Sequence, residues 1–135
     1  MDTYISYNAI FSVFSKKYMD KKKDLPIRPS EMGVLNIITE TEGPHTPVKL
    51  SSLLDVSKPM ITAHITSLES KGYITKSPSE KDKRAYYILP TEKATKLVEK
   101  TKIELKNDLD TLINGLGQED FNTLLNLIKK ANTLL

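Results

Sequence analysis

Residues 47–89 read PVKLSSLLDVSKPMITAHITSLESKGYITKSPSEKDKRAYYIL, and this stretch decides the fold. Val48, Leu50, Leu53 and Leu54 recur at helical spacing. Asp55-Val56 makes a turn. The Ser57 hydroxyl is placed to accept a first-turn N–H, so a second helix starts there and runs to about Lys71. Gly72 suits the left-handed residue that closes such a helix. The period then changes. Residues 73–77 and 84–89 read as strands, with the polar, charged residues 78–83 between them. Tyr86, Tyr87 and Ile88 favour strand over buried helix.

Two short helices joined by a tight turn form a helix-turn-helix, and a charged hairpin directly after it makes a winged helix. At about 100° per residue, Ile61, Ile65 and Leu68 of the second helix fall together and face the core. The opposite side collects Pro59, Thr62, Ala63, Thr66 and Ser70, small residues with no acid among them. Such a side is either plain solvent surface or a contact surface. Other solvent faces in this chain are rich in Lys and Glu, which favours contact. A smooth helix face lies flush in a major groove about 12 Å wide, where hydroxyls and methyls meet base edges. On the hairpin, Lys81 and Lys83 suit phosphates. Arg84 suits a narrow minor groove, where negative potential is highest. Asp82 has the wrong sign for DNA, so it is expected to orient Arg84 or cap the turn.

Charge follows the same segment. The 135 residues carry 20 basic and 17 acidic side chains, a net +3. Residues 45–90 hold seven basic and four acidic residues and the remainder is balanced, so the excess lies in the middle third. That is compatible with nucleic acid and also with a solvated face. The absence of cysteine excludes disulfides, thiolate metal sites and thiol redox sensing. His45 and His64 read as surface or boundary residues, which leaves little for a metal. No glycine-rich phosphate loop or nucleophile–base pair is recognisable. Glu92 and Glu99 lie one turn from Lys96 and Lys102, as helix-face pairs do. The sequence therefore reads as no enzyme, with no cofactor and no metal. No apolar run approaches the ~20 residues of a membrane span. The N-terminus lacks the basic start and apolar core of a signal peptide, which points to the cytoplasm and to no membrane partner.

Outside this lobe the pattern is helical. Tyr4, Tyr7, Phe11, Phe14 and Tyr18 recur at spacings of three and four over residues 3–22. This stripe faces either the chain's own core or a second subunit. It holds five of the nine aromatics, more than one small lobe covers, which predicts a homodimer. Lys21-Lys22-Lys23-Asp24 ends the helix with cations at its negative pole. A helix over residues 29–42 follows, with Pro29 and Glu31 in its first turn and Met32, Leu35 and Ile38 inward. Gly33 inside it implies close packing. Thr91 caps a long helix over residues 92–114, with Leu97, Thr101, Leu105, Leu109, Leu112 and Leu116 on one face and Gly115 and Gly117 breaking it. A last helix over residues 118–134 is expected to bury Phe121, Leu124, Leu125, Ile128 and Ala131.

Three blocks in register resemble the MarR family of bacterial transcriptional regulators. LESKGYI at 68–74, Asp82-Lys83-Arg84 and Thr91-Glu92-Lys93-Ala94 resemble the family's wing signature in spacing and residue type. LSSLLDVSKP at 50–59 resembles the approach to its recognition helix, and residues 25–35 resemble its entry to the second helix. The tight motifs cover residues 47–94; the flanking helices match in length and order only.

The resemblance implies a mostly α fold with a small β-hairpin wing (α+β), a winged helix-turn-helix with N- and C-terminal dimerisation helices. It implies one domain over residues 1–135, with 25–91 as the DNA-binding lobe and 1–24 and 92–135 as dimerisation helices. The implied homodimer interface includes Tyr4, Tyr7, Phe11, Phe14, Leu112, Phe121, Leu124 and Ile128. The implied partner is double-stranded DNA carrying a near-palindromic operator. Ser57 and Lys58 would lie near phosphate, Pro59, Thr62, Ala63 and Thr66 in the groove, and Lys81, Lys83 and Arg84 on the wing. The family further implies a repressor released by a small aromatic or amphipathic effector, for which no residue set here forms a pocket. The chain departs from the pattern at three places. Ala63 stands where an arginine is common, Met60 where a small hydroxyl residue is common, and Arg28 where a hydroxyl cap precedes Pro29. A function of another class, a winged-helix module that binds protein and not DNA, has little use for Lys81, Lys83 and Arg84 together.

Overall fold

The chain orders its elements as α1 (Thr3–Asp20), α2 (Pro29–Glu40), α3 (Pro47–Leu54), α4 (Lys58–Ser70), β1 (Ile74–Pro78), β2 (Tyr86–Pro90), α5 (Glu92–Leu116) and α6 (Gln118–Asn132) in a computed structural model. Residues 1–20, 24–82 and 84–135 are described. The Lys21-Lys22-Lys23 end expected for α1 and the wing residue Lys83 lie outside them. Two compact units are formed, Met1–Val98 and Glu99–Leu135.

The core belongs to the first unit. α2 enters through Pro29, and the Arg28 backbone N–H donates to Glu31 Oε1 at 3.0 Å. This is the return half of a capping box, which serves where Arg28 has no oxygen to accept with. Met32, Val34, Leu35 and Ile38 of α2 are buried. Gly33 departs from expectation: a Cβ there would meet Leu54 Cδ2 at 3.6 Å, an ordinary contact. Close packing does not require glycine. Gly33→Ala should therefore stabilise the fold by about 0.5–1 kcal/mol, because alanine loses less backbone entropy in a helix. A higher urea midpoint with unchanged slope would show it; a lower midpoint would contradict it.

α3 is capped by Thr46, whose Oγ1 accepts the Lys49 N–H at 3.2 Å. Leu50 is buried and Leu54 packs against the core, but Val48 and Leu53 are exposed. A helix of eight residues offers a single narrow strip to the core. Asp55 then adopts the left-handed conformation (φ 52°), which makes the tight joint into α4. Val56 follows it and packs on the core.

β1 and β2 pair antiparallel, from Ile74 opposite Pro90 to Pro78 opposite Tyr86. Ile88 is buried, and its N–H donates to the His45 carbonyl at 2.9 Å, tying the hairpin to the segment before α3. Ala94 and Val98 of α5 complete the core.

Two expectations at the chain ends are corrected. α5 runs through Gly115 to Leu116, and the break falls at Gly117, which has φ +86°. In Glu99–Leu135 Phe121 is buried and Leu124 half-buried, while Leu125, Ile128 and Ala131 are exposed. One helix and part of another cannot enclose both of their own apolar stripes. α1 buries no residue at all: Tyr4 is 80% and Phe11 74% exposed. Within one chain, the aromatic stripe does not face a core. No described helix is long and apolar enough to cross a membrane.

Candidate nucleic-acid interface

α4 begins as the sequence predicts. The Ser57 hydroxyl accepts the Met60 N–H at 3.3 Å, and Lys58 and Pro59 open the first turn. Ile61, His64, Ile65 and Leu68 are buried. Burial of both His64 and His45 corrects their reading as surface or boundary residues. His64 falls within a quarter turn of Ile61 and Leu68 and goes inward with them. Pro59, Thr62, Ala63, Thr66 and Ser70 are exposed together on the other side, and Met60 lies half-exposed beside them. This surface offers two threonine hydroxyls and several methyl or methylene groups, and no charge.

The wing tip is a set of backbone turns. Asp82 Oδ1 accepts the Arg84 N–H at 2.9 Å, and the Asp82 carbonyl accepts the Ala85 N–H at 3.0 Å. Asp82 thus caps the turn through the backbone, and its charge is spent locally. Lys81 and Arg84 are exposed, and among the described residues neither is in an ion pair. Lys58 and Lys49 are exposed as well; Lys49 Nζ reaches the Pro44 carbonyl at a long 3.4 Å. Lys76 differs. It pairs with Glu69 at 3.6 Å and lies 4.8 Å from the Tyr86 ring centroid, so it braces β1 against α4. Lys83 lies outside the described residues. Among the described residues no three His, Cys, Asp or Glu side chains gather to hold a metal.

Sequence reasoning missed the support beneath this surface. Glu31 of α2 is buried, and its Oε1 accepts from Lys71 Nζ at 3.4 Å, just past the end of α4. Forty residues separate the partners, so no local spacing reveals the pair. Burial pushes the Glu31 carboxyl up. The Ser67 hydroxyl, the Arg28 N–H and the Lys71 ammonium pull it down and prevail, so its pKa lies below the ordinary 4.5. A depressed carboxylate contributes stability above its unfolded pKa and loses it as pH falls through the folded value. Glu31→Gln should destabilise the fold by about 2 kcal/mol at neutral pH, the scale of a hydrogen bond to a charged group. The gap between the two proteins should narrow as pH drops below 4.5. Urea titrations at pH 7 and at pH 3 would check this, and a gap that widens in acid would contradict it.

A groove-sized bare helix, preceded by a capped short helix and followed by a basic hairpin, now stands on one lobe. Residues 27–86 match the family model described as "MarR family". Over that segment the chain is similar to the MarR family. Its fold is that of MarR-family transcriptional regulators. The uncharacterized HTH-type transcriptional regulator YkoM of Bacillus subtilis (strain 168) is 26% identical over 131 residues, which is 97% of this chain and 84% of YkoM. Streptococcus pneumoniae FabT in complex with DNA is similar at a TM-score of 0.79 and 25% identity, over 99% of this chain and 100% of FabT. The S. aureus MepR–DNA complex superposes at a TM-score of 0.81 with 19% identity, over 100% and 99% of the two chains. At that identity the likeness is one of fold. The MarR-family match covers α2 to the start of β2, the segment that carries both the bare side of α4 and the wing tip.

Proposed function

We propose that this chain is a cytoplasmic transcriptional regulator of the MarR family that binds a near-palindromic operator in duplex DNA as a homodimer and acts as a repressor. The observation that carries the reading is the joint exposure of Pro59, Thr62, Ala63 and Thr66 on α4 with Lys81 and Arg84 on the wing. Ser57 and Lys58 at the start of α4 and Lys83 on the wing complete the proposed contact set. The complexes of FabT and MepR with DNA support it. Release by a small aromatic or amphipathic effector belongs to the proposal through family membership.

The second subunit is supported by surfaces left open in each unit. In the first, Tyr4, Tyr7, Phe11 and Phe14 lie 44–80% exposed on α1. In the second, Ile128 is exposed and Leu112 and Leu124 are half-buried. Phe121 is already buried within one chain and has little surface left for a partner. Contiguous apolar surface of this kind on a small chain marks an interaction face. Sedimentation should find a dimer, and a stable folded monomer at micromolar concentration would refute it. Selection from random duplex DNA should enrich a two-fold symmetric sequence. Enrichment of none would turn the reading toward a protein-binding winged helix.

A further inference from the structure

The Thr91-Glu92-Lys93 motif touches no proposed DNA contact, yet it holds the recognition helix. α4 closes with a complete capping motif: the Tyr73 N–H donates to the Leu68 carbonyl at 2.9 Å and the Gly72 N–H to Glu69 at 3.0 Å, with Gly72 at φ +83°. The carbonyls of Lys71, Gly72 and Tyr73 lie beyond the helix ladder. All three are taken by the entry to α5. Lys93 Nζ donates to the Lys71 carbonyl at 2.6 Å, Thr91 Oγ1 to the Gly72 carbonyl at 2.7 Å, and the Thr91 N–H to the Tyr73 carbonyl at 3.0 Å. The Lys93 ammonium also lies 4.5 Å from the Tyr73 ring centroid. It is a cation at the negative pole of α4, held by a short charge-assisted hydrogen bond. On the other flank the Lys71 ammonium reaches Glu31 of α2.

We infer that Lys93 is a positioning residue for DNA recognition, fixing the axis of α4 so that its bare side and the wing reach DNA together. The lever is long. The 13 residues of α4 span about 20 Å at about 1.5 Å per residue, so a 5° tilt at the C-terminus moves Ser57 and Thr62 by roughly 1–2 Å. Directional contacts to base edges do not survive a shift of that size. Contacts to phosphate, made by flexible lysines, do. The inference rests on the DNA-binding reading above.

The test uses the full chain, the duplex recovered by selection, and an unrelated duplex, each over a range of salt. Lys93→Met keeps the stem over Tyr73 and removes the donor. Its affinity for the selected duplex should fall about 10-fold, the scale of one mismatched base pair. Affinity for the unrelated duplex and the slope of log affinity against log salt should stay as they are. Lys93→Arg, which can still donate and stack, should restore the preference. A slope lower by about one per subunit would make Lys93 a phosphate ligand and overturn the inference. Equal loss on both duplexes, no loss at all, or failure of Lys93→Arg to restore would overturn it too. Should Lys93→Met not fold, Lys93→Leu also removes the donor and is held to the same criteria. Failure of the natural protein to enrich any duplex would sink the DNA-binding reading instead.

Discussion

Affinity for DNA should fall roughly 10³-fold between about 50 and 200 mM salt, the loss expected when about 6–8 phosphates are neutralised. Lys49, Lys58 and Lys81 are exposed on one lobe, and Lys83 lies between Lys81 and Arg84 in the sequence. Doubled in a dimer, these four lysines supply the contacts. Each must release condensed counterions from the duplex, and that release carries the salt dependence. Lys76 is left out of the count because it is engaged with Glu69 and Tyr86. The charge excess is confined to residues 45–90, so the field is local to this lobe and the rest of the chain adds none. Binding isotherms at four or more salt concentrations on one duplex give the slope. A flat response would mean that these lysines face solvent in the bound state.

Local signals made the central lobe readable. The Ser57 cap, the Gly72 stop and the polar run between two strand-like segments each act within a few residues, and α3 and α4 fall where they predict. The strand ends moved for reasons that lie across the chain. Tyr73 is no ladder residue because its N–H closes α4 and its carbonyl receives Thr91. Arg84 precedes β2 because its N–H and that of Ala85 are both held by Asp82. Glu31 was legible as a helix-start acid, which it is, but its bond to Lys71 is a product of the fold. The apolar stripe of α6 was legible as a pattern and misread as core. Periodicity reports that a face must be covered; it does not say by which chain. Gly115 was misread because an isolated glycine inside a helix is tolerated at a modest cost.

Arg84→Ala and Thr62→Ala should fail in different ways, and the difference separates the two halves of the interface. Arg84 is exposed at the wing tip on a backbone pinned by Asp82, with no described carboxylate paired to its guanidinium. A guanidinium in a narrow minor groove gains from the focused potential and reads sequence mainly through groove width. Its loss should weaken binding to the selected duplex and to unrelated DNA alike, by about 1–3 kcal/mol per half-site. Thr62 stands exposed at the middle of the bare side of α4, one turn before Thr66. Base edges see it only when register and sequence are right. Thr62→Ala should therefore cost more on the selected duplex than on unrelated DNA, lowering the specificity ratio while non-specific affinity survives. Ala63 sharpens the expectation: where an arginine is common in the family this chain has a methyl, so fewer side chains share the readout and each one matters more. Two variants on two duplexes give four affinities. Unchanged binding by Arg84→Ala would take the wing off the DNA and favour a protein partner. Equal losses for Thr62→Ala on both duplexes would turn the bare side of α4 away from the base edges.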